Sequence, residues 1–220
     1  MKIDNSIIRE YLKNVYFING TAYAGKSTIC KMISERLGLY HCEENYKLDD
    51  FLKIATPEKF PNMCYFKTMK DWQEFISRTP DEYNDWIVNT AREGAQFEVA
   101  ELLSISKNQK VIVDTNIPID ILKKISDYDH VALLLSPQSM SVDNFFDRSD
   151  PEKQFLLEQI NKSENPEKTM KNYRACIEKI NSKENYDYLL NSGFKCFVRD
   201  EKNNNLEKRY NDVVNHFKLK

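Results

Sequence analysis

The sequence predicts an α/β domain in which helices layer both faces of a five-stranded parallel sheet, and three observations carry that prediction. Short apolar runs rich in β-branched residues alternate along the chain with stretches of helical periodicity. The run His130-Val-Ala-Leu-Leu-Leu135 is apolar almost throughout, as a parallel strand buried on both faces requires. The first run, Val15 to Ile18, leads into Gly20-Thr-Ala-Tyr-Ala-Gly25-Lys26-Ser27, a glycine-bracketed turn that opens a helix.

Taken in order, residues 3–13 set Ile3, Ile7, Ile8, Tyr11 and Leu12 on one helical face and predict a short helix over the sheet edge. After the first strand, residues 26–37 carry Ile29, Met32, Ile33 and Leu37 at helical spacing, with Gly38 as the stop. Leu39-Tyr-His-Cys42 predicts the second strand. It ends at Glu43-Glu44, where ligand-facing residues of an open parallel sheet belong. Residues 45–108 are longer and less regular than a simple crossover. A helical start over 46–54 is broken by Pro57 and Pro61, a helix is predicted over 70–78, and Thr79-Pro80-Asp81 caps a long one over 81–105. On that helix Tyr83, Ile87, Ala91, Ala95 and Val99 recur every four residues as a packing face. The whole stretch reads as a helical insertion of the kind that holds an acceptor substrate. Lys110-Val-Ile-Val-Asp114 predicts a third strand ending on a carboxylate, 119–125 a helix and 130–135 the fourth strand. Residues 142–168, polar and weakly apolar, read as a mobile covering lid. A helix over 170–180, a fifth strand Phe194-Lys-Cys-Phe-Val198 and an amphipathic helix over 206–217 complete a single domain spanning 1–220.

Composition narrows the function. A net charge of −2 with both signs mixed gives no global basic field, so nucleic acid is not an expected partner. The N-terminus lacks the apolar core of a signal peptide and no apolar run approaches a membrane span, which predicts a cytoplasmic protein, monomer or homodimer, with no membrane association. The five cysteines are scattered without a C-x-x-C, and the three histidines lack ligand spacing. Both read as structural residues in a reducing compartment.

The spacing of Gly20, Gly25, Lys26 and Ser27 matches the phosphate-binding pattern G-x-x-x-x-G-K-[ST] at every fixed position. The glycines let successive N–H groups curl around oxyanions, and the helix that follows adds its positive end. Nucleotide binding is therefore expected, with Gly20, Thr21, Ala22, Tyr23, Ala24, Gly25, Lys26, Ser27 and Thr28 around the phosphates. Lys26 would reach the β- and γ-phosphates, and Ser27 would ligate Mg2+ with Asp114 bound to it directly or through water. The guanine-reading N-K-x-D and the D-x-x-G of GTP switches are absent, and Asp114 is followed by Thr115-Asn116 instead of a second acid.

What remains is a phosphate loop, an insertion after the second strand, an Asp ending the third and an Arg-bearing segment after the fourth. This pattern resembles the small-molecule and nucleoside-monophosphate kinases of the phosphate-loop superfamily. Within them, Leu37-Gly38-Leu39-Tyr40-His41-Cys42-Glu43 looks like the L-G-x-x-x-x-D segment of the shikimate kinase and chloramphenicol phosphotransferase branch. The resemblance implies a P-loop NTPase fold, ATP and Mg2+ as cofactors, and transfer of the γ-phosphoryl group to a small-molecule hydroxyl or phosphate. It sets Glu43 where those enzymes carry a substrate-contacting or catalytic acid, with Glu44, Asp49 and Asp50 beside it. Arg148 is the expected lid cation, and Asp49 and Arg92 are expected contacts to the acceptor. Arg199 and Asp200, after the fifth strand, fall where related kinases wrap the adenine. A nucleotide-binding regulator or scaffold with little turnover is the alternative, distinguished by phosphate incorporation from labelled ATP.

Overall fold

The computed structural model describes residues 3–143, 145–146, 151–199 and 205–219. The chain begins with α1 (Asn5–Tyr11), capped by the Asp4 side chain, and β1 (Val15–Gly20). Next comes α2 (Lys26–Leu37), bounded by Gly25 and Gly38, both in the left-handed region. β2 (Tyr40–Cys42) leads into the insertion, built of α3 (Leu48–Ile54), α4 (Tyr65–Thr68), α5 (Trp72–Ile76) and α6 (Pro80–Ile105). A capping box fixes the start of α6: the Thr79 side chain accepts from the Glu82 N–H, Glu82 reaches back to the Thr79 N–H, and Pro80 opens the first turn. Then follow β3 (Val111–Asp114), α7 (Ile119–Ile125), a 3-10 turn at Tyr128–His130 and β4 (Val131–Leu135). The chain closes with α8 (Gln138–Asp143), α9 (Pro151–Asn161), α10 (Pro166–Ile180), α11 (Lys183–Leu190), β5 (Lys195–Val198) and α12 (Leu206–His216).

The strands form one five-stranded, all-parallel sheet in the order β2-β3-β1-β4-β5. The chain lays β2 and β3 on one side of β1, then crosses to lay β4 and β5 on the other. A reversal of this kind leaves a crevice at the carboxyl ends of the strands flanking β1. The glycine-bracketed loop after β1 and Asp114 at the end of β3 both lie at that edge.

Alternation along the strands splits the core between two faces. Val15, Phe17, Val111, Val113, Val131 and Leu133 pack with Leu102 of α6 and Ile119, Leu122 and Ile125 of α7. Tyr16, Ile18, Ile112, Ala132 and Leu134 pack instead with Ile29 and Ile33 of α2 and Tyr210 and Val213 of α12. A third cluster holds no strand residue: it joins Phe75 and Ile76 of α5 and Tyr83 of α6 to Ile160 of α9 and Tyr173, Cys176 and Ile177 of α10.

Several expectations change. In and around α1 the side chains of Ile3, Ile7 and Tyr11 are exposed, and of the five apolar residues only Ile8 and the C-cap Leu12 join the core. The helix rests on α7, where Arg9 donates to the Lys123 and Lys124 carbonyls, satisfying groups that a helix end leaves open. Residues 142–168, read from sequence as a mobile covering segment, are helical over α9 and the first turn of α10. Ile160 is fully buried, the Trp72 and Phe155 rings meet edge to face at 4.8 Å, and Gln73 donates to the Gln159 carbonyl at 3.1 Å. Only a thin apolar stripe faces α5, so charge masked the periodicity. The Asn165 side chain starts α10 at Pro166, earlier than expected, and α4 and α11 were not foreseen. Among the described residues no helix is long and apolar enough to cross a membrane.

Candidate functional site

The loop leaving β1 is held in a curl by three left-handed residues, Gly20 at φ +137°, Tyr23 at +62° and Gly25 at +86°. Position 20 admits only glycine, because a Cβ there would sit 1.8 Å from the Leu134 carbonyl oxygen. The outer side of the curl is well satisfied. The Thr21 N–H donates to the Leu134 carbonyl at 3.0 Å, and Ser136 and Ser141 hydroxyls donate to the Ala22 carbonyl at 2.6 and 3.2 Å. Arg199 Nη1 donates to the Tyr23 carbonyl at 2.7 Å and Arg209 Nη1 to the Ala24 carbonyl at 3.0 Å. The other side is not satisfied. Among the described residues no acceptor meets the N–H groups of Ala24, Gly25 and Lys26, and the N-cap Gly25 offers α2 no side-chain cap. Unpaired N–H groups at the start of a 12-residue helix form a ready cradle for an oxyanion.

Acids and one lysine stand beside this cradle. Ser27 Oγ donates to Asp114 Oδ2 at 2.6 Å, while Asp114 Oδ1 is buried with no partner among the described residues. Burial pushes the Asp114 carboxyl above its ordinary value. Lys26 and the Ser27 hydrogen bond pull it back, Glu44 raises it and His41 lowers it. Glu44 is itself held by Asn116 Nδ2 at 2.7 Å. From α6 comes Glu98, whose enclosed carboxyl is pushed up to about 7, chiefly by burial. The Thr115 hydroxyl donates to it and opposes that rise, while the charges of Asp114 and Glu44 add to it. Glu98 Oε1 is also buried without a partner among the described residues.

These groups suit a hard divalent cation. A hydroxyl and a carboxylate with an unmet buried oxygen are the ligand types Mg2+ prefers, and that ion takes most of its shell from water and phosphate. Among the described residues no three or more His, Cys, Asp or Glu side chains gather around a common metal position. Ser27 and Asp114 are the residues that could hold such an ion.

The residues singled out from sequence fall as follows. Lys26 is half-buried and its charge acts on Asp114, whereas Thr28 is exposed on α2. Glu43 is exposed beyond β2, and its neighbour Glu44 is the acid whose charge reaches Asp114. Asp49 is exposed in the first turn of α3. Arg92 is engaged by Asp120 of α7, two nitrogens to two oxygens at 3.1 Å each, which occupies the cation expected to face an acceptor. Arg199 binds the loop backbone, and Arg148 and Asp200 lie outside the described residues. Lys26, Ser27, Asp114 and Glu44 are thus brought together, and Glu98, Ser136 and Arg209 join them unforeseen. Glu98 left a trace, since it shares the buried face of α6 with Ala95 and Leu102. Arg209 left none in a run of charged residues on an amphipathic helix. No protein-family model matches the chain, and no curated protein matches it.

Proposed function

We propose that the protein is an ATP-dependent phosphotransferase of the phosphate-loop kinase type, moving a γ-phosphoryl group to a small-molecule hydroxyl or phosphate. The observation that carries this reading is the Ser27–Asp114 pair, 2.6 Å apart with one buried carboxylate oxygen unmet, set beside Lys26 and a loop with unpaired amides. Such groups do what phosphoryl transfer asks of a protein, which is to position the phosphates and offset their charge. The amides of residues 24–26 would bind phosphate oxygens, and the Lys26 ammonium would offset charge on the transferring group. Mg2+ held by Ser27 and Asp114 would neutralise further charge on the phosphates. On the acceptor side, Glu43 and Glu44 stand where β2 ends, and Glu44, fixed by Asn116, would orient the attacking hydroxyl or take its proton. In the insertion Phe66 packs against Trp72 and Trp86 and is itself exposed, so its ring could meet a planar acceptor.

Two measurements test this. Calorimetry with Mg·ATP is expected to give binding heat, and none would overturn the reading. Label from γ-labelled ATP is expected in at least one of a panel of nucleoside, sugar and amino-alcohol acceptors, and to vanish in Lys26→Ala and Asp114→Asn. Incorporation that survives Lys26→Ala would sink the assigned site. Binding with no acceptor labelled would favour a nucleotide-responsive regulator.

A further inference from the structure

The outer face of the loop explains how its inner face is set. All peptide bonds among the described residues are trans, and a planar trans peptide points the C=O of one residue opposite to the N–H of the next. A donor that fixes the Ala22 carbonyl outward therefore turns the Tyr23 N–H inward. A donor on the Tyr23 carbonyl does the same for Ala24, and one on the Ala24 carbonyl for Gly25. The donors present at those carbonyls are the Ser136 and Ser141 hydroxyls, Arg199 Nη1 and Arg209 Nη1. The amides of Ala24 and Gly25, whose direction is set in this way, are the ones without an acceptor among the described residues.

We propose that Arg209 and Arg199 are positioning residues that aim the anion-binding amides by gripping the loop carbonyls from behind. This rests on the phosphotransfer reading of the same loop. Neither arginine touches the bound phosphates in this scheme. Each guanidinium acts through a peptide group, and a cation on the carbonyl oxygen also polarises that peptide and strengthens its N–H as a donor.

Two further observations support the grip. Arg209 is costly where it stands: burial lowers its pKa, the charge of Arg199 lowers it further, and the Nε atoms of both arginines are buried without partners among the described residues. The loop is also shaped to admit the guanidinium, since a Cβ at Gly25 would stand 3.1 Å from Arg209 Nη2.

The chain has only five glycines, so protein labelled with 15N-glycine gives a spectrum simple enough to follow Gly25 directly. Arg209→Ala in the ligand-free protein is expected to move or broaden the Gly25 amide peak and leave those of Gly38, Gly94 and Gly193 in place. Arg209→Lys, which keeps a cationic donor, is expected to return the peak part of the way. The control is Arg36→Ala, which removes a two-point ion pair to Glu207 on the same helix, α12, without touching the loop. It is expected to leave Gly25 where it was. In the wild type, Mg·ATP is expected to shift Gly25, and Arg209→Ala to weaken that binding about tenfold or more, the scale of one charged hydrogen bond. A Gly25 peak indifferent to Arg209→Ala, or one that moves with every other glycine and equally in Arg36→Ala, would overturn the grip even if Mg·ATP binds. A wild-type Gly25 peak indifferent to Mg·ATP would instead overturn the phosphotransfer reading, while the ligand-free comparison still decides the grip.

Discussion

Replacing Glu98 by Gln should make the protein's stability less sensitive to pH, and the size of the effect follows from the acid's surroundings. The carboxyl is enclosed against Thr115, its Oε1 has no partner among the described residues, and its pKa rises from an ordinary 4.5 to about 7. The folded protein thus holds this proton more tightly than the unfolded chain. Below pH 4.5 both states are protonated and no penalty arises. As pH climbs from there through 7, the unfolded chain ionises first and stability falls. At about 1.4 kcal/mol per pH unit the full penalty above pH 7 is about 3 kcal/mol, of which about 2.5 kcal/mol accrues between pH 5 and pH 8. Gln keeps the shape and cannot ionise, and any cost of its amide is the same at every pH. Urea unfolding of both proteins at pH 5, 6, 7 and 8 measures this directly. The stability of Glu98→Gln relative to wild type should rise by about 2.5 kcal/mol across that range. A difference that stays flat with pH would show that this carboxyl ionises as freely in the fold as out of it, and the account of the enclosed acid cluster would fail.

Glycine substitutions should separate two kinds of backbone demand. Gly20→Ala drives a Cβ into the Leu134 carbonyl at 1.8 Å and should cost roughly 3 kcal/mol or more, whereas Gly38→Ala meets nothing within 4 Å and should cost about 1 kcal/mol for its left-handed angle alone. Thermal unfolding checks the pair, and equal losses would refute the assigned clash. Thr79→Ala removes the side-chain half of the capping box on α6, leaving the bond from the backbone N–H of residue 79 to Glu82, and should lower stability by about 1 kcal/mol in urea; an unchanged midpoint would contradict the cap.

Much of this architecture could be read locally. The helix over 26–37 carries its own stop signals in Gly25 and Gly38, the run 131–135 is apolar at every position, and Thr79-Pro80 announces α6. Such signals span a few residues, within reach of pattern reading. What escaped depends on partners distant in sequence. Arg92 looked available until α7 placed Asp120 against it, and Arg209 became meaningful only through a carbonyl 185 positions away. Glu43 and Glu44 are adjacent and chemically alike, so only the direction in which the chain leaves β2 selects the one whose charge reaches Asp114. Helix α9 hid because few of its side chains face α5, so too little apolar surface marks its period.

The contacts behind the loop also bear on the order in which a growing chain matures. Tyr23 and Ala24 leave the ribosome early, yet the guanidinium groups that meet their carbonyls lie 176 and 185 residues downstream. At roughly 5–20 residues per second the loop spends on the order of 10–40 s with those oxygens unclaimed. A nascent chain stalled before Arg199 would carry the whole glycine motif and still lack the two guanidinium groups that meet the Tyr23 and Ala24 carbonyls.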